Sequence, residues 1–572
     1  MGVSSSNRNH NISIYKDDNL LDQAEAADEF GVFFSEIASR LDRNIPAAQR
    51  SPSSFLGSPL TNSFYCFPSN PDEVYRLIMG SENKKPNLKD IPIFIYKLSA
   101  RLISPIISGW FNRSISEGVF PSSFKVARIT PIFKSGSRNE VQNYRPISVL
   151  PYFSKLFERL MYNRLNKYLN KYQILCKHQF GFRTGLSTND AILEFLDAAY
   201  ESIDDRNVLV AAFLDFSKAF DTVNHAVLLT KLKHYGIRGN VISWFSSYLE
   251  NRNSYVNIGG ESSRRYLFSM GVPQGSVLGS VLFLIYINDM YKACSSSQLV
   301  HFADDTTVFK SGANTEITIS LLNADLNRIS IWLQSNRLTL NISKSSYMIF
   351  GKSRNQNSSM VQICDQNLIL VDNVKFLGVS IDNRLTFKLH CESIVNRLSR
   401  VCGILWRLRN ILTPKIMRTI YFALAWPYVT YAITAWGRTN MTFINNLQSA
   451  QNRIMRIMYG SSTNDVFKTN KMFNIRNAYD YFAAIKLYRD INCEETRYFA
   501  QRISQFQASH NYHTRFASNE NLILPLFTTA RAQKSFIYQS IIFWNSLPLN
   551  IKRSSNLKIF KKTLKLFILD SG

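Results

Sequence analysis

The stretch VLVAAFLDF, residues 208–216, is a short, continuous apolar run that closes on an aspartate, Asp215. A run of this length without alternation is typical of a strand that is buried on both faces. Further along the chain, LVHFADDTTVF (299–309) predicts two short strands with Asp304 and Asp305 at the turn between them. Strands that are far apart in the sequence therefore each bring carboxylates to one of their ends.

The residues around these strands predict a mixed fold of helices and strands. Apolar side chains recur at helical spacing in residues 152–172 and 315–335, which predicts a helix in each segment. Further strands are predicted at SYMIFG (346–351) and VKFLGVSID (374–382). Because helices separate strands that are distant in the sequence, we assign the core to the α+β class.

The composition describes a large, strongly basic, core-forming protein. The chain has 572 residues with 67 Lys and Arg against 41 Asp and Glu, a formal net charge of +26, and 45% hydrophobic residues. This balance excludes a disordered tail and leaves ample apolar material for folding. Positive charge spread along a folded chain predicts an acidic partner, such as a nucleic acid or an anionic membrane.

Several other classes of protein are excluded by simple patterns. None of the seven cysteines belongs to a CxxC pair, which argues against a disulfide framework or a zinc ribbon and for free thiols in a reducing compartment. The polar N-terminus has no secretory signal, and the apolar stretches 276–288 and 421–436 are shorter than a bilayer span. We expect no membrane segment and an intracellular location, with nucleus and cytoplasm both open.

The three aspartates at strand ends carry the clearest chemical signal. A carboxylate at the end of a buried strand is costly unless it is paired or bound to a metal. Mg²⁺ prefers hard oxygen ligands, and two such ions can activate both oxygens of a phosphoryl displacement. The alternative is that Asp215 caps the next helix while Asp304 and Asp305 make a simple turn.

Eight sequence blocks follow one another in order along this part of the chain. They are PIFKSG (131–136), NYRPISVLPYFSKLFERL (143–160), QFGFRTGLSTNDAI (179–192), AFLDFSKAFDTVNH (212–225), GVPQGSVLGSVLFLIYIND (271–289), FADD (302–305), LTLNISKS (338–345) and KFLGVSID (375–382). The series resembles the blocks of reverse transcriptases, closest to those of non-LTR, LINE-like retrotransposons of the jockey and CR1 type. The resemblance implies a right-hand polymerase with fingers, palm and helical thumb, followed by a basic helical C-terminal region.

The resemblance also implies a reaction and a metal site. The reaction is RNA-directed DNA synthesis, in which a primer 3′-OH attacks a dNTP. Asp215, Asp304 and Asp305 match the family's metal-binding aspartates and would hold two Mg²⁺ ions, with Mn²⁺ as a substitute. Lys344 resembles the lysine that protonates the leaving pyrophosphate, with a solvated turn lysine as the alternative. The implied partners are an RNA template, a DNA primer and dNTPs, and the oligomeric state stays open.

A second set of residues resembles the family's nucleotide pocket: Lys134, Arg145, Phe216, Phe220, Gln274 and Gly275. Lys134 and Arg145 match basic residues that hold the triphosphate, with surface cations as the alternative. Phe216 follows the first aspartate and would contribute its backbone carbonyl. Phe220 falls where the family has an aromatic gate against the ribose 2′-OH; the alternative is a core phenylalanine. Gln274 matches the residue that lies against the incoming nucleotide.

Two neighbouring residues are interpreted as structural, and two glycines as close to the nucleotide. Asp221 and His225, in AFDTVNH, are expected to form hydrogen bonds within the palm rather than to take part in catalysis. Gly271 and Gly275, on either side of Gln274, are expected to let the backbone approach the nucleotide closely.

Residues 394–412 predict a basic helix. Between Ser393 and Asn464 there are nine Lys or Arg residues and no Asp or Glu. The position of the helix, after KFLGVSID, resembles that of the family's thumb, so its arginines are expected to bind the template–primer backbone. These arginines are Arg397, Arg400, Arg407 and Arg409. The alternative is the solvated face of a helical bundle.

The resemblance predicts five segments along the chain. They are an N-terminal helix and linker (1–71), an N-terminal extension with the fingers (72–205), the palm (206–390), the thumb (391–465) and a basic C-terminal region (466–572). About 70 residues before the polymerase-like region are too few for the endonuclease that the family usually carries, and we expect the chain to lack it. The segment GSENKKPNLKDIP (80–92) also departs from the family's usual run.

Two other functions remain open on the sequence. One is a catalytically inactive remnant of a mobile element that still binds RNA. The other is a maturase-like splicing cofactor that binds RNA, because group II intron maturases share the palm with this family.

Overall fold

The structure is a computed structural model that describes residues 12–83, 91–351, 360–492 and 519–571. Cys493, most of the segment 80–92 and part of the predicted C-terminal region lie outside the described residues. The chain divides into two compact units. The first unit comprises Met1–Phe182, Asp215–Ser295 and Asp325–Asn341, and the second comprises Arg183–Leu214, Ser296–Ala324 and Ile342–Gly572.

Helices and strands alternate irregularly along the described residues, which confirms the α+β class. The α-helices are Gln23–Arg43, Pro71–Met79, Ile93–Leu98, Ala100–Glu117, Tyr152–Lys171, Thr188–Asp204, His225–His234, Asn240–Leu249, Val277–Ile287, Thr315–Ser335, Lys388–Leu408, Pro414–Leu424, Trp426–Thr430, Ile433–Trp436, Met441–Tyr459, Asn464–Thr469, Ile475–Asn492, Phe536–Ser546, Leu549–Lys552 and Leu557–Ser571. The strands are Tyr15–Lys16, Asn19–Leu20, Val126–Phe133, Tyr144–Val149, Val208–Leu214, Arg252–Ile258, Glu261–Ser262, Tyr266–Phe268, Gln298–Phe302, Asp305–Gly312, Ser346–Phe350, Gln362–Ile363, Gln366–Asn367, Ile369–Leu370, Asn373–Phe376 and Val379–Asp382.

The strand Val208–Leu214 lies at the centre of a five-stranded sheet in the second unit, and all its residues are buried. Its neighbours, Ser346–Phe350 and Asp305–Gly312, both pair with it antiparallel. Gln298–Phe302 and Ile369–Leu370 form the two edges of the sheet. Burial on both faces explains why this strand is a continuous apolar run rather than an alternating one.

The first unit contains a second sheet, which packs against its N-terminal helix. Val126–Phe133 lies between Tyr144–Val149, to which it is antiparallel, and Arg252–Ile258, to which it is parallel. Phe30 of the helix Gln23–Arg43 meets the Tyr144 ring edge-on, with 5.0 Å between centroids. The helix therefore closes one face of the sheet with apolar contacts.

The N-terminal helix begins at a capping box. The Asp22 side chain accepts from the Glu25 backbone N–H, and the Glu25 side chain accepts from the Asp22 backbone N–H. These two bonds satisfy donors that a helix start leaves open. The N-terminal helix predicted within residues 1–71 is thus confirmed, at Gln23–Arg43.

A fully buried ion pair lies within the helices of the first unit. Lys231 and Asp289 are both inaccessible to solvent, and the Lys231 ammonium contacts one carboxylate oxygen of Asp289. The Trp332 indole N–H donates to the other oxygen at 2.9 Å, and the Lys231 ammonium lies 4.9 Å from the Trp332 ring centroid. The Tyr286 carbonyl also accepts from Lys231. Every charge in this cluster has a partner, which a buried charge requires.

The helices predicted at 152–172 and 315–335 are confirmed, at Tyr152–Lys171 and Thr315–Ser335. The basic helix predicted at 394–412 begins earlier, at Lys388, and ends at Leu408. The next helix starts at Pro414, and proline disfavours helical backbone in the residue before it. Residues 409–412, at the end of the predicted helix, lie beyond Leu408.

The stretch 374–382, for which strand structure was predicted, forms a hairpin. Asn373–Phe376 and Val379–Asp382 pair antiparallel, with Leu377 and Gly378 at the turn. Both turn residues have positive φ, 45° and 88°, which suits the sharp reversal between the strands. The predicted strand residues are therefore confirmed as two short strands.

The sequence argued against a disulfide framework and against a membrane segment, and both points can be compared with the described residues. No disulfide joins the described cysteines, which are Cys66, Cys176, Cys294, Cys364, Cys391 and Cys402. No helix in the described part of the chain is both long enough and apolar enough to cross a bilayer.

We predict that the substitution Lys231→Met strongly destabilises the protein. It leaves the Asp289 carboxylate buried without its cation, a loss that typically costs about 3–5 kcal/mol. Urea unfolding followed by circular dichroism measures the change. Arg113→Met is the control, because the pair of Arg113 with Glu117 is exposed and such pairs add little stability. Equal unfolding midpoints for both variants would contradict the role of the buried pair.

Candidate active site

The hairpin between Gln298–Phe302 and Asp305–Gly312 carries two of the three candidate metal ligands. Asp305 is the first residue of its strand and pairs with Phe302, so Ala303 and Asp304 form the turn. Ala303 has φ +56°, a left-handed conformation that residues with a Cβ seldom adopt. Below the turn, a buried hydrogen bond of 2.8 Å joins His301 Nδ1 to Thr306 Oγ1. The backbone at this turn is therefore held in an uncommon conformation.

The central sheet brings two strand ends together at this turn. Leu214, the last residue of Val208–Leu214, lies opposite Thr306, the second residue of Asp305–Gly312. Asp215 is the next residue after Leu214, and Asp305 is the residue before Thr306. A one-residue slip of this register would turn the Phe309 ring away from Phe195, which it meets edge-on at 5.4 Å, so side-chain packing opposes the slip. Asp215 and Asp305 are thus the residues next to a pair that lies opposite across the sheet.

The backbone after Asp215 is fixed by a separate segment of the first unit. Asn341 N–H donates to the Asp215 carbonyl at 2.7 Å, and Ser217 N–H donates to the Thr339 carbonyl at 2.8 Å. Phe216 forms a single antiparallel bridge with Leu340 and is buried. The Asp215–Ser217 segment therefore has a fixed backbone rather than that of a free loop.

The three aspartates offer the chemistry of a magnesium site without forming a closed cluster. Carboxylate oxygens are the hard ligands that Mg²⁺ prefers. Within residues 12–83, 91–351, 360–492 and 519–571, no three His, Cys, Asp or Glu side chains stand close enough to hold a metal ion. Like charges repel, so convergence of three carboxylates needs a cation between them. Their donor type fits a divalent metal.

Lys344 lies close in sequence to the central sheet. It is the last residue of the short 3₁₀ helix Ile342–Lys344, and its side chain is exposed. The strand Ser346–Phe350 begins two residues later and pairs with Val208–Leu214, with Ser346 opposite Phe213. This register holds Lys344 near the end of the central strand at which Leu214 lies.

The loop Gly271–Ser276, which contains Gln274, is held by hydrogen bonds at each of several residues. We call it the GVPQGS loop. The Gly271 N–H donates to the Val223 carbonyl at 2.8 Å, and His225 Nε2 lies 2.8 Å from the Gly271 carbonyl. The Val272 N–H donates to the Phe220 carbonyl at 2.9 Å. The start of the loop is thus tied to the segment 220–225.

The middle of the GVPQGS loop is fixed at Gln274. Its side-chain amide donates to Asp221 Oδ1 at 2.8 Å, and its backbone carbonyl accepts from the Ser148 N–H at 2.7 Å. Ser148 belongs to the strand Tyr144–Val149, which also carries Arg145. Asp221 and His225, interpreted as structural from the sequence, have this role in the structure. Both fix the GVPQGS loop.

The two glycines of the loop lie close to other backbone segments of the protein. Gly271 and Gly275 have φ of +85° and +103°. A Cβ at Gly271 would lie 2.5 Å from the Asp221 carbonyl oxygen, and one at Gly275 would lie 2.9 Å from that of Ser148. Both glycines therefore allow the loop to approach the protein's own backbone. Their expected approach to a nucleotide stays a prediction.

The Asp221 carboxyl, at the base of the loop, is buried and only partly satisfied by hydrogen bonds. Its Oδ2 atom is buried and has no hydrogen-bond partner. Burial raises the pKa of Asp221 to about 6, although the hydrogen bond from Gln274 and the charges of Lys218 and Arg145 oppose the shift. Burial likewise lowers the pKa of His225, which favours its neutral form.

Phe220 lies between two other aromatic rings. It stacks on Phe283 with 4.4 Å between centroids and 23° between planes, and Phe182 meets it edge-on at 6.2 Å. Phe220 is half-buried, while the Phe182 side chain is 53% exposed. The structure thus keeps part of the Phe220 ring accessible, and packing against Phe283 fixes its position. Phe182 could not be identified from its sequence block, because its contact with Phe220 is tertiary.

Lys134 and Arg145 lie on one antiparallel hairpin in the first unit. Arg145 pairs with Ile132, and the Lys134 N–H donates to the Asn143 carbonyl at 2.9 Å. Side chains alternate between faces along a strand, so Ile132, Lys134 and Arg145 share a face. Both cations are exposed. This face presents two positive charges on adjacent strands.

The arginines of the helix Lys388–Leu408 lie on its solvent side. Arg397, Arg400 and Arg407 are exposed, whereas Ile394 and Leu398 are buried. The Arg397 guanidinium lies 4.3 Å from the Tyr428 ring centroid. Arg409, just beyond the helix end, is exposed and lies 3.5 Å from the Trp406 ring. The expected split into an apolar and a basic face is confirmed.

The part of the chain that carries these motifs is similar to known proteins. Residues 132–381 match the family model described as reverse transcriptase (RNA-dependent DNA polymerase). The chain is 30% identical over 423 residues to the probable RNA-directed DNA polymerase from transposon BS of Drosophila melanogaster, covering 70% of this chain and 46% of the relative. It is 32% identical over 402 residues to that from transposon X-element of the same species, covering 69% and 44%.

A third relative is the RNA-directed DNA polymerase from mobile element jockey of Drosophila melanogaster, 29% identical over 61% of this chain and 39% of the relative. The chain therefore spans less than half the length of these curated relatives. Among solved structures, telomerase from Candida albicans in complex with a fragment of telomeric RNA is similar with a TM-score of 0.33 and 14% identity, covering 72% of this chain and 71% of that one.

We predict that Asp221→Asn changes how stability depends on pH. In the wild type the folded carboxyl has a pKa of about 6 against an ordinary value of 3.8, so the folded state binds the extra proton between these values. Stability contributed by this group is therefore lost as the pH rises through that window. The asparagine side chain keeps an oxygen acceptor for the Gln274 amide but cannot ionise.

We therefore expect the melting temperature of Asp221→Asn minus that of the wild type to be larger at pH 7.5 than at pH 4.5. Thermal unfolding at both pH values measures it. Asp465→Asn, at an exposed position, is the control and should show no such trend. If the difference in melting temperature became smaller as the pH rises, it would contradict the raised pKa of the buried Asp221 carboxyl.

Proposed function

Residues 132–381 of this chain belong to the reverse transcriptase family, and on that premise we propose that the protein is an RNA-directed DNA polymerase. One observation carries this proposal. The register of the central sheet sets Leu214 opposite Thr306, so that Asp215 and the Asp304–Asp305 turn continue from neighbouring strand ends. The relatives that carry mobile-element names support a non-LTR retrotransposon as the source.

The proposed reaction joins a nucleotide to a primer. The primer 3′-oxygen attacks the α-phosphorus of a dNTP and gives up its proton to solvent. A new phosphodiester bond forms, the bond to the β-phosphate oxygen breaks, and pyrophosphate leaves. Lys344, which is exposed, is the proposed donor of a proton to that leaving group.

Asp215, Asp304 and Asp305 are the proposed ligands of two divalent cations, Mg²⁺ or its substitute Mn²⁺. Bound in this way, such ions neutralise phosphate charge and activate the attacking oxygen. The three side chains supply only carboxylate oxygens, and the hydrogen bond to the Asp215 carbonyl fixes the first of them at its backbone. The strained turn at Ala303 orients the other two.

The nucleotide pocket is proposed to lie beside the GVPQGS loop. Gln274 and Gly275 would face the incoming dNTP, with the backbone carbonyl of Phe216 beside it. Lys134 and Arg145, on one face of their hairpin, would contact the triphosphate, where Arg suits bidentate binding of phosphate. The partly accessible Phe220 ring would exclude the 2′-OH of a ribonucleotide.

The RNA template and the primer are proposed to bind along the basic helix Lys388–Leu408. Its exposed arginines face solvent and have few acidic neighbours in sequence, because residues 393–464 contain no Asp or Glu. Arg397, Arg400, Arg407 and Arg409 would neutralise backbone phosphates, which gives affinity without base specificity. Binding should therefore weaken steeply as the salt concentration rises.

We predict that Asp304→Ala and Asp215→Ala each abolish primer extension. Loss of a metal ligand should lower the extension rate by about 1,000-fold or more, a barrier increase of roughly 4 kcal/mol. Affinity for an RNA–DNA hybrid should stay within about twofold, because phosphate contacts dominate it. Gel-based primer extension and filter binding measure the two quantities. Asp465→Ala, at an exposed acid outside the proposed site, is the control. Full extension by either variant would refute the metal assignment.

We predict that Phe220→Ala admits ribonucleotides. Removing the ring should raise the relative efficiency of rNTP incorporation by about 10- to 100-fold, since the discrimination depends on a steric contact. Competition between dTTP and UTP on a poly(rA) template measures it. Phe182→Ala is the matched control, because it removes an exposed ring that meets Phe220 edge-on and leaves the stack of Phe220 on Phe283 in place. Unchanged sugar discrimination in folded Phe220→Ala would remove the gate from the proposal.

A further inference from the structure

A second anchor of the GVPQGS loop lies in a distant part of the sequence. Glu158, on the helix Tyr152–Lys171, is fully buried at 0% exposure. Its Oε2 atom accepts from the backbone N–H of Val277 at 2.6 Å and from that of Leu278 at 3.1 Å. These are the first two residues of the helix Val277–Ile287, which begins directly after the loop.

This arrangement differs from an ordinary helix start. The first N–H groups of a helix lack partners within the helix, and a side chain next to it in sequence usually caps one of them. Ser276 does so here, with its Oγ accepting from the Gly279 N–H at 2.9 Å. Glu158 takes two more of these N–H groups from 119 residues away. The helix start is therefore fixed to another element of the fold as well as capped locally.

A buried carboxylate is an expensive way to make that connection. Desolvation disfavours its charged form, and burial accordingly raises the pKa of Glu158. Four features offset this cost: the nearby charge of Arg252, itself 4% exposed, two backbone N–H donors, the Ser154 hydroxyl, which donates to Oε1 at 3.4 Å, and the partial positive charge of the helix N-terminus. A charged acceptor binds such donors more strongly than a neutral one, so it fixes the helix start firmly.

The anchored residues lie immediately beside the proposed nucleotide contacts. Gln274 is three residues before Val277, and Ser148 and Asp221 hold its backbone carbonyl and its side-chain amide. Glu158 fixes the other side of the same short loop. Loss of this anchor would free residues 275–278 to move while Gln274 remained tied on one side only.

We propose that Glu158 is a positioning residue for nucleotide binding, acting through the start of the helix Val277–Ile287 on Gln274 and Gly275. The proposal rests on the assignment of the GVPQGS loop to the nucleotide pocket. It assigns Glu158 no contact with substrate. Its effect should therefore appear in the KM for dNTP more than in kcat.

The test compares Glu158→Gln and Glu158→Leu with the wild type. Glutamine keeps one oxygen acceptor in nearly the same place, whereas leucine keeps bulk and removes both acceptor atoms. On poly(rA)/oligo(dT), the KM for dTTP should rise by about threefold in the first variant and by about 10- to 50-fold in the second, with kcat per active site changed less. Active sites are counted by single-turnover extension.

A control separates positioning from general destabilisation. Leu160 lies on the same helix and is equally buried. Leu160→Ala removes apolar packing but leaves the Glu158 carboxylate and its hydrogen bonds to Val277 and Leu278 unchanged. It should lower the melting temperature and leave the KM for dTTP unchanged. A Glu158→Leu variant that melts early yet keeps the wild-type KM would overturn the proposal.

Hydrogen exchange distinguishes this proposal from the proposed function. Mass spectrometry of the free protein should show faster amide exchange in residues 275–280 of Glu158→Leu than in the wild type or Leu160→Ala. That readout does not require polymerase activity. A wild type without activity would refute the proposed function alone, whereas unchanged exchange in residues 275–280 of Glu158→Leu would refute the anchor itself.

Discussion

The antiparallel register between Val208–Leu214 and Asp305–Gly312 is the constraint on which the rest of the site depends. All seven residues of Val208–Leu214 are buried, and a shift of one residue against Asp305–Gly312 would turn the Phe309 ring away from Phe195, which it meets edge-on. Close packing on both faces therefore fixes where the two strands end. Asp215 follows the last residue of one strand, and Asp305 is the first residue of the other.

Buried polar contacts supply what the apolar core cannot, namely the positions of loops and helix starts. Glu158 binds the start of the helix Val277–Ile287, and Asp221 binds Gln274 within the loop before it. Lys231 and Asp289 join further helices of the same unit. Apolar packing tolerates small displacements, whereas a buried hydrogen bond to a charged group loses much of its energy when it is not made. The GVPQGS loop is thus held at its start, at Gln274 and at the helix that follows it.

Much of the fold could be predicted from the sequence because the relevant signals are local. The apolar run at 208–216, the paired aspartates after FA, and the helical spacing of 315–335 each encode their own element. The basic helix ends at Leu408 rather than at residue 412, and the apolar spacing of the segment does not mark that end. Glu158, Phe182 and the partner of Gln274 could not be predicted, because each contact joins residues far apart in sequence. The close approach of Gly271 to Asp221 and of Gly275 to Ser148 could not be predicted for the same reason. The roles of the aspartates and of the basic residues in binding metal, nucleotide and template stay predictions.

Template-dependent DNA synthesis by the purified chain tests the central claim most directly. The measurement is incorporation of labelled dTTP on poly(rA)/oligo(dT) with Mg²⁺, compared with reactions that lack the template or contain EDTA. We predict incorporation that requires the RNA template and stops when EDTA removes the metal. Tight binding of the hybrid without any incorporation would contradict the claim and would identify the chain as an RNA-binding remnant of a polymerase.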